Sequence, residues 1–267
     1  LKLNQAKLKY ILNILVKKEE LDHSNLFKAF SSLYNLELLN RIYESDLNTL
    51  KIFINDKLLI QALKRIIFKE KVWEEILNKI RKLICKKVAI NHAYRNKQIN
   101  EFTIALAEQC FLNEYVYFMD KEEIKYTEII INRCNKEGII SQDLSILACY
   151  YPLYKLSKKI PSINSFKTSN HNLNNLVKLQ FLEPLEELKL SKQIKKIGLI
   201  ENNISKKVKS QYEKHPYPRW KDCNPLKELK FSANEVINSE IKPNRLSNNI
   251  EINDLQVLIA GCGTGKQ

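Results

Sequence analysis

Trp73-Glu74-Glu75-Ile76-Leu77-Asn78-Lys79-Ile80-Arg81-Lys82-Leu83-Ile84 places apolar side chains at intervals of three and four, on Trp73, Ile76, Leu77, Ile80, Leu83 and Ile84. That spacing lines one side of a helix, and Glu74, Glu75, Lys79 and Lys82 fall on the other. Upstream, the same period runs through 8–16, 26–33 and 58–68, with Asp22 or Ser24 and Asp56 as candidate N-caps. Downstream it returns over 101–118 and 121–136, where Gly138 is a natural C-terminal stop. Consecutive amphipathic helices with short polar joints predict an α-helical bundle or an irregular helical repeat over 1–155. No return of small and aromatic residues at the tetratricopeptide period is visible, which leaves a degenerate repeat as the alternative.

Beyond the helices the character changes twice. Residues 157–175 are polar and carry Pro161, the mark of a loop or linker, and 176–197 resume helical spacing until Pro184 starts a new helix or kinks that one. A helix over 205–213 leads into His215-Pro216-Tyr217-Pro218, where two prolines impose extended geometry. The segment 156–230 thus reads as a linker and helical connector. After the irregular, Asn-rich 221–253, Leu255-Gln256-Val257-Leu258-Ile259-Ala260 forms a short apolar run ending at Gly261, the pattern of a buried parallel strand.

Composition narrows the function classes. The formal net charge is +14, but almost all of it is Lys, spread along a chain equally rich in Asn and Ile. Such joint enrichment follows from an AT-rich coding sequence, and no stacking-aromatic motif accompanies the charge, so nucleic acid is not the expected partner. No stretch approaches the about 18 to 20 apolar residues of a membrane span. The six cysteines show no Cys-x-x-Cys pair, so no metal site is expected and a reduced, cytoplasmic setting is. Leu1 is the first residue and Met119 the only methionine, and the glycine turn lies at the very end, so the chain is expected to be a piece of a longer protein at both ends.

Three of the five glycines, Gly261, Gly263 and Gly265, stand in the last seven residues, directly after the apolar run. A turn without side chains lets the backbone approach a bound nucleoside closely. A dinucleotide-binding G-x-G-x-x-G needs glycine at 266, where Lys266 stands; a phosphate loop needs glycine at 260 and a hydroxyl at 267, where Ala260 and Gln267 stand. The turn Gly261-Cys262-Gly263-Thr264-Gly265 resembles motif I of class I S-adenosylmethionine-dependent methyltransferases. It departs from that family at Ile259, where an acidic residue is common, leaving the amino group of the cofactor to another polar group. A structural strand-to-helix turn without ligand is the other reading of these residues.

A second likeness lies upstream. Gln211-Tyr212-Glu213-Lys214-His215-Pro216-Tyr217-Pro218-Arg219-Trp220 resembles a segment that precedes motif I in bacterial methyltransferase-domain proteins with a helical, tetratricopeptide-like N-terminal region. The likeness extends more faintly to 105–115 and 183–187. The resemblance implies an α-helical domain over 1–155 and, from 231 to 267, the start of a Rossmann-like doubly wound α/β methyltransferase domain. It further implies methyl transfer from S-adenosyl-L-methionine to an acceptor not identifiable here, with Gly261, Cys262, Gly263, Thr264 and Gly265 at the cofactor. Catalytic residues would lie mostly beyond Gln267, so a chain ending there is expected to be inactive. Tyr217 and Trp220, on their proline frame, are candidate lid residues over the nucleoside; packing of the linker onto the sheet is the alternative. His215 as a base, and Gln109, Asn113 and Glu114 as a site, are weaker candidates than a solvent-facing His and a polar helix face. The rival function is a helical protein-protein interaction scaffold in which the glycine turn is vestigial.

Overall fold

The structure is a computed structural model describing residues 4–19, 21, 23–34, 50–91, 96–194, 200–214 and 232–240. In chain order the helices are α1 (Gln5–Leu15), α2 (Phe27–Ser31, after a 3-10 turn at His23–Leu26), α3 (Lys51–Ile54), α4 (Lys57–Arg65), α5 (Lys71–Ile90), α6 (Lys97–Leu112) and α7 (Lys121–Glu137). There follow α8 (Ser141–Leu147), α9 (Leu153–Leu156), a 3-10 turn at Pro161–Ser165, α10 (His171–Val177), α11 (Glu183–Ser191), α12 (Asn203–Lys214) and α13 (Ala233–Glu240). The chain is mainly helical, and among the described residues there is no strand. The expected strand at 255–260 lies outside the described residues.

From α4 to α8 each helix packs on the one two places along: α4 on α6, α5 on α7 and α6 on α8. This alternation makes α6 the spine of the bundle, and nearly every side chain from Ile99 to Leu112 is buried. A helix covered on every side belongs in the middle of a core, in contrast to the one-sided stripe of α5.

Trp73 opens α5 inside an aromatic cluster, its ring centroid 5.4 Å from Phe30, 5.1 Å from Tyr34, 5.9 Å from Phe53 and 5.1 Å from Phe68. These rings join α2, α3 and the α4–α5 connection, so the first part of the chain is held by aromatic area rather than by long helices. The indole N–H donates to Ser31 Oγ at 3.3 Å, and that hydroxyl donates to Glu70 at 2.9 Å, so the polar edge of the ring is satisfied.

Several helix ends differ from the sequence expectation, each for an identifiable reason. Asp56 caps α4 as expected, accepting from Leu58 N–H at 2.9 Å, whereas Ser24 lies within the 3-10 turn and α2 has no side-chain cap. α4 stops at Arg65 rather than Phe68, because Gln109 takes over the backbone there: its amide donates to Leu63 O and Ile66 O at 3.2 and 2.8 Å and accepts from Phe68 N–H at 2.9 Å. α6 stops at Leu112 rather than Phe118, since Glu114 and Tyr115 take left-handed φ of 59° and 57°, with Tyr115 N–H reaching back to Cys110 O at 2.7 Å. Gly138 ends α7 at φ 92°, as its glycine identity predicts.

The polar stretch 157–175 has a packed interior. Ile160, Ile163 and Leu173 in it are buried in the same core as α4–α8, and Asn170 caps α10 by accepting from Leu173 N–H at 3.1 Å. Pro184 stands in the first turn of α11, as expected of a proline that opens a helix, but no break precedes it. Instead Lys178–Leu182 widen into a π turn, in which Glu183 N–H bonds Lys178 O five residues back, and α11 continues directly from it. A proline ring clashes with the carbonyl four residues earlier, and widening the turn just before it relieves that clash without ending the helix.

Candidate functional site

The residues expected to hold the cofactor, Gly261, Cys262, Gly263, Thr264 and Gly265, and the lid candidates Tyr217 and Trp220 lie outside the described residues, as do His215 and Arg219. Tyr212, of the same segment, ends α12 with its ring 71% exposed.

Gln109, Asn113 and Glu114 do not form a polar surface face. Gln109 is wholly buried and Asn113 nearly so, because α6 is covered on every side. Gln109 is spent on the three backbone bonds that close α4, whereas Asn113 belongs to a buried polar cluster around Arg81.

That cluster is built from five places in the chain. α5 supplies Arg81 and Cys85, α6 supplies Cys110 and Asn113, the α6–α7 connection supplies Tyr117 and the Phe118 carbonyl, and α7 supplies Glu123. Cys149 and Tyr150, just after α8, close it. Arg81 Nη2 lies 3.1 Å from Glu123 Oε1, 2.6 Å from Phe118 O and 2.9 Å from Asn78 Oδ1. The guanidinium stacks on the Tyr150 ring at 4.3 Å, and the Tyr150 hydroxyl donates to the same carboxylate oxygen at 2.7 Å. Arg81 and Glu123 expose only 1% and 2% of their side chains, so this pair is fully desolvated. Desolvation makes each charge costly unless it is paired and hydrogen-bonded, which is why the two sit together.

The local sequence explains Glu123. Asp120 caps α7 by accepting from Glu123 N–H at 2.9 Å, and Glu123 in turn accepts at its Oε2 from Asp120 N–H at 3.0 Å, a full capping box. One carboxylate oxygen therefore serves the cap and the other serves Arg81. On the surface side Lys82 reaches Asp120 at 2.6 Å and Glu122 at 2.6 Å. These bonds raise the Lys82 ammonium and, together with the Glu123 backbone bond, hold the Asp120 carboxyl below its ordinary value.

The electrostatics favour neutral phenols and, except at Cys110, neutral thiols. Burial pushes Tyr150 and Tyr117 far up and Cys85 up to about 12. Burial also acts to raise Cys110, but a hydrogen bond with the Cys149 thiol and the charge of Arg81 outweigh it and hold Cys110 below the ordinary thiol value. Cys149 is pushed well up by burial and by its bond to Cys110. Asn113 sits beside the Tyr117 hydroxyl, yet Arg81 Nε, both amide atoms of Asn113 and the Tyr117 hydroxyl have no hydrogen-bond partner of good geometry. With Arg81, Glu123, Asn113 and Tyr117 all buried, this cluster has the chemistry of an internal lock between helices.

A second buried ion pair fixes the other end of α7. Arg133 Nε and Nη2 bond Asp143 at 2.9 and 2.6 Å, and Nη2 also bonds Val88 O at 3.0 Å, tying α7 to α8 and α5. The signal for both pairs was available in the sequence as charged residues on otherwise apolar helix faces. Among the described residues no group of three or more His, Cys, Asp or Glu side chains is placed to hold a metal, and no helix is long and apolar enough to cross a membrane.

Compared with protein-family models, with curated proteins and with solved structures, the chain matches none of them.

Proposed function

We propose that this chain belongs to an S-adenosylmethionine-dependent methyltransferase in which the helical bundle precedes the cofactor-binding strand and turn. The observation that carries the reading is the apolar run Leu255–Ala260 passing straight into Gly261-Cys262-Gly263-Thr264-Gly265, reinforced by the aromatic and proline segment from Tyr212 to Trp220. A glycine turn with no intervening side chain suits close approach to the methionine part of the cofactor. The cofactor supplies an already activated methyl group, so the protein's task is to orient the acceptor and exclude water. Tyr217 and Trp220 are suited to the second task, as rigidly framed rings next to the turn in sequence.

Calorimetric titration of the full-length protein with S-adenosylmethionine, ATP and NAD tests the reading. Binding of S-adenosylmethionine alone, lost on Gly263→Val, is the expected result; preferential binding of ATP or NAD overturns it. A specific observation favours a second role for the same chain as an interaction scaffold: α11 and α12 carry exposed apolar stripes, which a self-contained bundle does not need.

A further inference from the structure

Two of the buried thiols, Cys110 near the end of α6 and Cys149 just after α8, are clamped together by the residues around them. Tyr115 N–H donates to Cys110 O at 2.7 Å, and the Tyr115 hydroxyl donates to Ala148 O at 3.2 Å. One residue, held at a left-handed φ of 57°, therefore bridges Cys110 to the neighbour of Cys149. Gln180, wholly buried in the π turn, makes the same bridge from the other direction, its amide donating to Ala107 O at 2.9 Å and to Ala148 O at 3.2 Å. Cys149 Sγ lies 3.5 Å from Thr103 O, about two turns before Cys110 on the same side of α6. The Cys149 thiol so placed donates a hydrogen bond to the Cys110 sulfur.

The two sulfurs differ in character from each other and from the remaining buried thiols. Burial pushes Cys85 and Cys134 up to about 12, so both are neutral and poor nucleophiles. Burial opposes ionisation of Cys110 as well, but the Cys149 hydrogen bond and the Arg81 charge prevail there. Cys149, pushed up by burial and by that same bond, keeps its proton. A nucleophilic sulfur thus stands directly against a proton-bearing one. Both are wholly buried, which shuts out a bulky disulfide and leaves only an oxidant close to water in size. The amide of Asn113, one turn beyond Cys110, and the Tyr117 hydroxyl have no protein partner, so a small polar molecule finds hydrogen-bonding groups beside the thiols.

We propose that Cys110 and Cys149 are a peroxide-reactive pair that closes to a disulfide between α6 and the end of α8. The Cys110 thiolate attacks one oxygen of hydrogen peroxide; the O–O bond breaks, Cys110 becomes a sulfenic acid, and hydroxide leaves to become water with a proton from the medium. The Cys149 sulfur then attacks the Cys110 sulfur, the S–O bond breaks, and the departing hydroxide takes the Cys149 proton as a second water. The two sulfurs together give up two electrons, which the peroxide receives. This device goes beyond the methyltransferase reading and does not depend on it.

The test treats the reduced, folded full chain with hydrogen peroxide, stops aliquots by alkylation under unfolding conditions, and maps tryptic peptides by mass. Residues 98–121 and 137–155 each hold one cysteine, so the disulfide appears as their cross-linked product, two hydrogens lighter than the pair. Cys110 is expected to be consumed at least about tenfold faster than Cys85 or Cys134. Cys149→Ser should stop at the sulfenic acid, captured on Cys110 by dimedone, and Cys110→Ser should leave Cys149 reduced; circular dichroism first establishes that each is folded. Equal rates at Cys110, Cys85 and Cys134, the result if only unfolded chains react, overturn the proposal. So does a cross-link of Cys110 or Cys149 to any other cysteine, or oxidation of Cys149 in folded Cys110→Ser. Should a variant fail to fold, the relative rates and the cross-link in the unaltered chain decide.

Discussion

Arg81 makes three approaches through one nitrogen, to Glu123, Asn78 and the Phe118 carbonyl, while its Nε has no partner. An Nη nitrogen carries only two hydrogens, so one contact is shared, and the guanidinium is held by position as much as by bonding. Its removal leaves Glu123 as a buried charge with only the Tyr150 hydroxyl and the Asp120 N–H to hold it. Arg81→Met is therefore expected to cost about 3 to 5 kcal/mol, the usual penalty for breaking a buried pair from one side. The double variant Arg81→Met/Glu123→Gln should recover a good part of that loss, since no unpaired charge remains. Urea unfolding of the two variants measures both; a double variant worse than the single one would show that the pair contributes stability of its own.

Helix ends carry the next level of specification. Gly138 ends α7 at φ 92°, and a Cβ built there meets nothing within 4 Å, so a substitution is opposed by the backbone alone. Gly138→Ala should cost about 1 to 2 kcal/mol in thermal unfolding with the fold unchanged; a neutral result would mean the end of α7 adjusts freely. Asp120 opens the same helix. Its folded-state carboxyl lies below the ordinary value, chiefly through Lys82, so its contribution is complete above the ordinary Asp value of about 4 and declines as pH falls through the lower folded value. Asp120→Ala should cost about 1 kcal/mol at neutral pH, the usual worth of an N-cap. The gap between variant and parent should close below about pH 4. A gap independent of pH would assign the effect to packing instead of charge.

For the molecule as a whole, the +14 net charge is the feature most open to over-reading. Several of the described lysines already pair with carboxylates on the surface, as Lys9 does with Asp56, Lys82 with Asp120 and Lys159 with Glu128. A charge of compositional origin predicts RNA binding that is weak at physiological salt and indifferent to sequence. Filter binding from about 50 to 200 mM salt checks this. Tight binding with a steep salt slope would reveal a basic footprint.

Sequence alone determined the helical character, because the three-and-four spacing in 73–84 and 121–136 is a property of the chain itself. It determined Asp56 and Gly138 as helix limits for the same local reason. The capping box Asp120-x-x-Glu123, which the sequence reading did not name, and its second duty to Arg81 emerged only from the structure. Only tertiary structure decided that α4 stops at Arg65 and that Gln109 is a clamp, since the carbonyls it captures stand more than forty residues away in the chain. Only tertiary structure brought Arg81, Glu123 and Tyr150 onto one centre, or buried Ile160 and Ile163 within a stretch that reads as polar. Spacing along a chain tells which side of a helix is apolar; what covers that side depends on contacts remote in sequence, and those exist only once the chain has folded.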